Sequence, residues 1–141
     1  MIEKNPEMIM LVDDSDTDNF ISRRVLEISG FTKKIVIKDS GRSALEYLDA
    51  NQNNVAELPE LIFLDINMPI VDGFVFLYEF ENMNQTIRDR CKIIILSSSN
   101  NKRDIDRIID NSYVIDFVTK PLSLEAINEI KTNKLFNIKI G

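Results

Sequence analysis

Short apolar runs divide this chain: MIMLV (Met8–Val12), LIFL (Leu61–Leu64), KIIIL (Lys92–Leu96) and VIDFV (Val114–Val118). Runs of this length read as strands rather than helices, and strands apolar on both faces belong to a parallel sheet covered on each side. Lys34–Ile37 is less continuous and reads as a fifth strand. Between the runs the apolar residues take a helical period, over Asp16–Ser29, Ser40–Ala50, Asp72–Met83, Asn100–Asn111 and Ser123 to about Leu135. In the first of these segments Phe20, Ile21, Val25 and Ile28 are expected on one buried stripe, with Arg23, Arg24 and Glu27 outside it. Gly30 suits a C-terminal cap, and Ser40 and Ser123 suit N-caps. Asn51–Glu60 reads as a long polar loop, and Phe136–Gly141 as a short tail of undecided structure. Alternating strands and helices predict an α/β fold with a doubly wound five-stranded parallel sheet flanked by five helices.

The 141 residues are expected to form one domain, 1–141, with its core over about 8–135. A net charge of −6 argues against a nucleic-acid partner, which requires a basic surface. No apolar run approaches the roughly 20 residues of a membrane helix. The first residues, MIEKNPE, lack the basic and then apolar regions of a signal peptide. A single cysteine, Cys91, cannot form an internal disulfide, and a cytoplasmic protein is expected. The chain has no histidine, which excludes Ser-His-Asp and Cys-His nucleophilic sites and histidine-rich zinc sites. Any bound metal must therefore be held by oxygen, which favours magnesium or calcium.

Asp13, Asp14, Asp65, Ser97 and Lys120 each fall at or just past the end of a predicted strand. In an open α/β sheet, ligands bind outside the carboxyl ends of the strands. The fold alone thus brings three carboxylates, a hydroxyl and an ammonium to one rim. Two other readings of the Asp13–Asp18 string fail. A calcium-binding EF-hand loop from Asp14 needs Gly at Asn19 and Glu at Val25. An aspartyl-phosphatase signature needs Thr or Val at Asp18 and leaves Asp65 without a role.

LVDD, LDINMPIVDG, IIILSSS and DFVTKP, in that order at strand ends, resemble the receiver domain of two-component response regulators, the CheY-like fold. The resemblance runs from about Ile9 to Leu135 and implies the strand order 2-1-3-4-5. It implies that Asp65 accepts a phosphoryl group from a phosphohistidine on a histidine kinase or a histidine phosphotransfer protein. Asp13, Asp14 and Asp65, with the backbone carbonyl of Asn67, match the ligands of a Mg2+ ion. Ser97 matches the switch hydroxyl, Ser98 a position favouring a small residue, Lys120 the phosphoryl-pairing lysine, Pro121 a cis-proline and Phe117 the switch aromatic.

Two positions depart from the family pattern. Phe117 lacks the hydroxyl of a tyrosine, and Asn111-Ser112-Tyr113 replaces a common Gly-Ala, although asparagine can still adopt a left-handed cap. The implied protein is a stand-alone receiver, monomeric or weakly dimeric, and no enzyme beyond slow self-phosphorylation and self-dephosphorylation. Its output is contact with an unknown protein target or onward transfer, through the face built by the fourth predicted helix, the fifth strand and the fifth helix. The alternatives are an interaction module of the same fold that is never phosphorylated, and a magnesium-dependent aspartyl phosphatase.

Overall fold

The computed structural model describes residues 5–98 and 101–133. Five strands, β1 (Met8–Val12), β2 (Lys34–Lys38), β3 (Leu61–Leu64), β4 (Lys92–Ser97) and β5 (Val114–Thr119), form one parallel sheet in the order β2-β1-β3-β4-β5. Alternation along each strand divides the core in two, because successive side chains point to opposite faces. Met10, Val12, Ile62, Leu64, Ile93 and Ile95 pack on one face beneath α2 (Gly41–Ala50) and α3 (Gly73–Glu81), through Ala44, Leu48, Phe76 and Phe80. Ile9, Leu11, Leu61, Phe63, Ile94 and Leu96 pack on the other beneath α1 (Asp16–Ser29) and α6 (Leu124–Lys131), through Leu26, Ile127 and Ile130. The unbroken apolar runs of the sequence are therefore strands buried on both faces. β2, at the edge, is only partly buried, which accounts for its weaker signature.

Several local signals act as expected. Gly30 takes a left-handed conformation (φ 65°) after α1, and the Ser40 and Ser123 hydroxyls accept from the amides of Ser43 and Ala126. Four expectations are corrected.

The apolar stripe assigned to α1 faces outward at Phe20 and Ile28, which are 65% and 64% exposed. Asn19, Ser22 and Leu26 face the sheet instead. Asn19 earns its burial with a hydrogen bond from its side-chain amide to the Asp13 carbonyl, 2.8 Å. The helix expected over Asp72–Met83 is α3, which ends at Glu81, and a further helix that was not expected, α4 (Gln85–Arg90), follows it. Asn84 caps α4 by accepting from the Thr86 amide, so six α-helices rather than five lie among the described residues. The polar loop Asn51–Glu60 contains a short 3-10 turn (Val55–Glu57), and Glu60 is buried, accepting from the Glu7 amide. Asn111 takes no left-handed cap; its amide donates to Ile108 while its side chain accepts from the Tyr113 amide and donates to Glu81.

Helix α5 is Lys102–Ile109, tied to α3 by the Arg107 guanidinium stacked 3.9 Å over the Phe74 ring. The expected helix start at Asn100, the helix end near Leu135 and the tail 136–141 lie outside the described residues.

Candidate functional site

Backbone pairing that continues past the strand ends fixes the rim. The Asp13 amide donates to Lys38, the Asp65 amide to Val12 and the Lys120 amide to Ser97, at 3.1, 3.0 and 3.0 Å. Each site residue is thus held by a neighbouring strand rather than by its own loop. Lys120 is joined to Pro121 through a cis peptide bond. Asp13 and Asp65 are each 5% exposed, Ser97 is fully buried and Asp14 is exposed.

One ligand oxygen from each of Asp13, Asp14 and Asp65 lies within 4.8 Å of the others. Lys120 enters this group from β5, its Nζ 2.6 Å from Asp13 Oδ2 and 3.3 Å from Asp65 Oδ2. It also lies 2.9 Å from Asp18 Oδ2, on the first turn of α1. The sequence alone assigns Asp18 no role. Its only signal was its place one turn beyond Asp14, in a string where acids also suit a helix N-terminus.

The remaining oxygens of the two buried acids face backbone amides. Asp13 Oδ1 accepts from Ser15 at 2.9 Å, and Asp65 Oδ1 accepts from Asn67 at 3.2 Å. Burial raises the Asp13 carboxyl above its ordinary value; the Lys120 and Ser15 bonds oppose this, and the Asp65 charge adds to it. Burial alone would lower Lys120, but its bonds to Asp13 and Asp18 and the field of Asp65 more than reverse that, so the lysine is held protonated. The rim therefore contains a fixed cation among acids that burial has placed close together.

The other predicted residues are placed with less direct geometry. Ser97 closes β4, Ser98 beyond it is exposed, and Asn67 is an exposed residue of the loop after Asp65. Phe117 is half-buried against the core face shared with Ile95, its register partner. Cys91 is buried below the rim at the other end of β4, its thiol pushed up to about 12 by burial, and takes no part.

The loop between Asp65 and α3 is tightly built. Ile70 adopts φ 66°, rare for a β-branched residue, and the Val71 amide donates to the Pro69 carbonyl across it at 2.7 Å. Gly73 lies so close beneath Ile66 that a Cβ there would sit 2.6 Å from the Ile66 Cα.

Residues 9–131 match the response regulator receiver domain. The chain belongs to this family. The receiver is 30% identical over 132 residues to a probable methanogenesis regulatory protein, FilR2, from Methanothrix harundinacea, covering 91% of this chain and 83% of that protein. It resembles the crystal structure of a two-component response regulator from Cytophaga hutchinsonii, with a TM-score of 0.84 and 26% identity over 97% of this chain and 98% of that one. The Mn2+-bound form of the response regulator Rcp1 is similar at a TM-score of 0.69 and 27% identity, over 89% of each chain. The receiver is thus a two-component signalling domain of CheY-like fold, and its Asp13, Asp14 and Asp65 cluster suits a hard divalent cation. Among its described residues no helix is long and apolar enough to cross a membrane.

Proposed function

We propose that this receiver accepts a phosphoryl group on Asp65 from a phosphohistidine of a histidine kinase or phosphotransfer protein, and that the phosphorylated form presents an altered face to a protein target. The carrying observation is the surroundings of Asp65: two further carboxylates and a protonated lysine converge on it. In the transfer an Asp65 oxygen forms a bond to phosphorus as the P–N bond of the donor breaks, its electron pair returning to the imidazole. Asp65 is the nucleophile, and the residues around it supply positioning and charge rather than further covalent help, as phosphoryl transfer requires. Lys120 brings a point charge to the growing negative charge of the phosphoryl oxygens. Ser97 offers a hydroxyl to one of those oxygens, and because residues 1–141 contain no histidine the donor imidazole lies outside them.

The three carboxylates fit Mg2+, with the Asn67 carbonyl as a further ligand. At an effective dielectric near 20, carboxylate oxygens of Asp13 and Asp65 no more than 4.8 Å apart repel by about 3.5 kcal/mol or more. A bound divalent ion would supply the charge that offsets this repulsion and the charge of the incoming phosphoryl group.

Signal transmission is assigned to Ser97 and Phe117, which stand two residues apart in register on adjacent strands. Movement of that pair would shift a pre-existing equilibrium of the face formed by α5, β5 and α6. Incubation with Mg2+ and acetyl phosphate, followed by intact mass, tests the reading. It predicts gain of one phosphoryl group, lost in Asp65→Asn and without Mg2+. No adduct and no donor consumption would favour an unphosphorylated interaction module. Rapid donor consumption without adduct would favour a phosphatase.

A further inference from the structure

We propose that Asp18 is a positioning residue for Lys120: it keeps the ammonium partnered when Asp13 and Asp65 turn to a divalent cation. The inference rests on the metal-assisted acceptor reading above and adds to it a residue outside the triad.

The oxygens of the two buried acids are already committed. Asp13 Oδ1 and Asp65 Oδ1 accept from the Ser15 and Asn67 amides, and Asp13 Oδ2 and Asp65 Oδ2 both face Lys120 Nζ. Lysine and a cation therefore compete for the same two oxygens. A lysine forced off them without another acid nearby would lose its counter-charges while 12% exposed. Asp18 removes that conflict. It stands 2.9 Å from Nζ, closer than Asp65, and it lies outside the cluster of Asp13, Asp14 and Asp65.

Its place is fixed by the start of α1. The Asp18 amide donates to the Ser15 hydroxyl at 3.2 Å, and one residue on, the Asn19 side chain donates to the Asp13 carbonyl. The segment after β1 that carries Asp13 and Asp14 thus leads directly into the helix turn that carries the acid receiving the lysine. Without Asp18, Lys120 has only the oxygens a cation needs, and it becomes a competitor of that cation.

A double-mutant cycle on the full chain decides this, with Mg2+ alone as the probe and affinity read by calorimetry. Asp18→Asn is expected to weaken Mg2+ binding about fivefold, and by less than twofold in a Lys120→Met background, where no lysine is left to compete. Asp18→Glu should recover most of the loss. Thermal unfolding of each variant confirms folding, and Lys120→Gln replaces Lys120→Met in the cycle should the latter not fold. Equal losses with and without the lysine would show a long-range charge effect, and no loss in either would show a helix-terminus acid only; both overturn the proposal. Wild-type protein that binds no Mg2+ would remove the acceptor reading itself, a result distinct from either.

Discussion

Gly73→Ala tests how the receiver positions Asp65, the proposed acceptor. Gly73 opens α3 and donates its amide to the Ile66 carbonyl at 3.0 Å, directly after Asp65. A Cβ would lie 2.6 Å from both Ile66 Cα and Ile66 Cγ2, whereas ordinary contact begins near 3.4 Å. Either the loop or the helix must yield by about 0.8 Å, and the obstacle is backbone rather than a pliable side-chain end. Overpacking of this kind costs about 1–3 kcal/mol, offset in part by the better helix propensity of alanine. The loop that yields carries Asp65 and Asn67, so the loss is not confined to stability. A displacement near 1 Å of a reacting group lowers rates by about 100-fold.

Gly30→Ala is the matched control. Its Cβ would meet nothing within 4 Å, and only its left-handed φ of 65° is unfavourable, at about 1–2 kcal/mol. Urea unfolding and the rate of phosphorylation by acetyl phosphate separate the two. Both variants should lose stability, and only Gly73→Ala should lose rate. Unchanged phosphorylation in a folded Gly73→Ala protein would refute the claim that close packing under Ile66 sets the acceptor.

Three further outcomes follow from the packing and charges. Ile70 is 95% exposed at φ 66°, so Ile70→Gly should stabilise by about 1 kcal/mol in urea unfolding; a destabilisation would mean that the side chain is held by contacts. Arg90 lies 3.9 Å from buried Glu60, and Arg90→Ala should cost about 1–3 kcal/mol, against about 0.5 or less for Arg23→Ala, whose partner Glu27 is exposed; equal costs would contradict the burial argument. Asp13 has its carboxyl raised from 3.8 by burial, so below that pH both folded and unfolded chains keep the proton and the group contributes nothing. As pH rises through the folded value, ionisation is harder in the native state, and wild type loses stability relative to Asp13→Asn. In chelator the advantage of Asp13→Asn should widen between pH 3 and 7; a flat or reversed difference would count against it.

The sheet and the rim were legible because both are written in residue type. Strands buried on two faces must be apolar throughout, and charged groups at their ends stand out against that background. Helix faces were less legible. In α1 the surface nearest the rim is small and polar, since Asn19 and Ser22 fit where the helix meets the end of β1, while Phe20, Ile21 and Ile28 are exposed and only Leu26 and Val25 reach the core. A periodicity argument cannot see that inversion. Helix α4 did have a start signal, Asn84 as its N-cap, but its six residues are too few to show a helical period. Asp18 was hidden for a different reason: an acid in the first turn of a helix already has an ordinary explanation, and only the approach of Lys120 from 102 residues away gives it another.

The acid after β3, Asp65, is the proposed acceptor, and its identity can be read directly. Reducing the phosphorylated protein with borohydride converts an aspartyl phosphate to homoserine, and peptide mass mapping then locates it. Homoserine is expected at position 65 alone, formed only in samples treated with donor and Mg2+. Homoserine at Asp13 or Asp14, or a phosphoryl group on Ser97 that resists reduction, would contradict it.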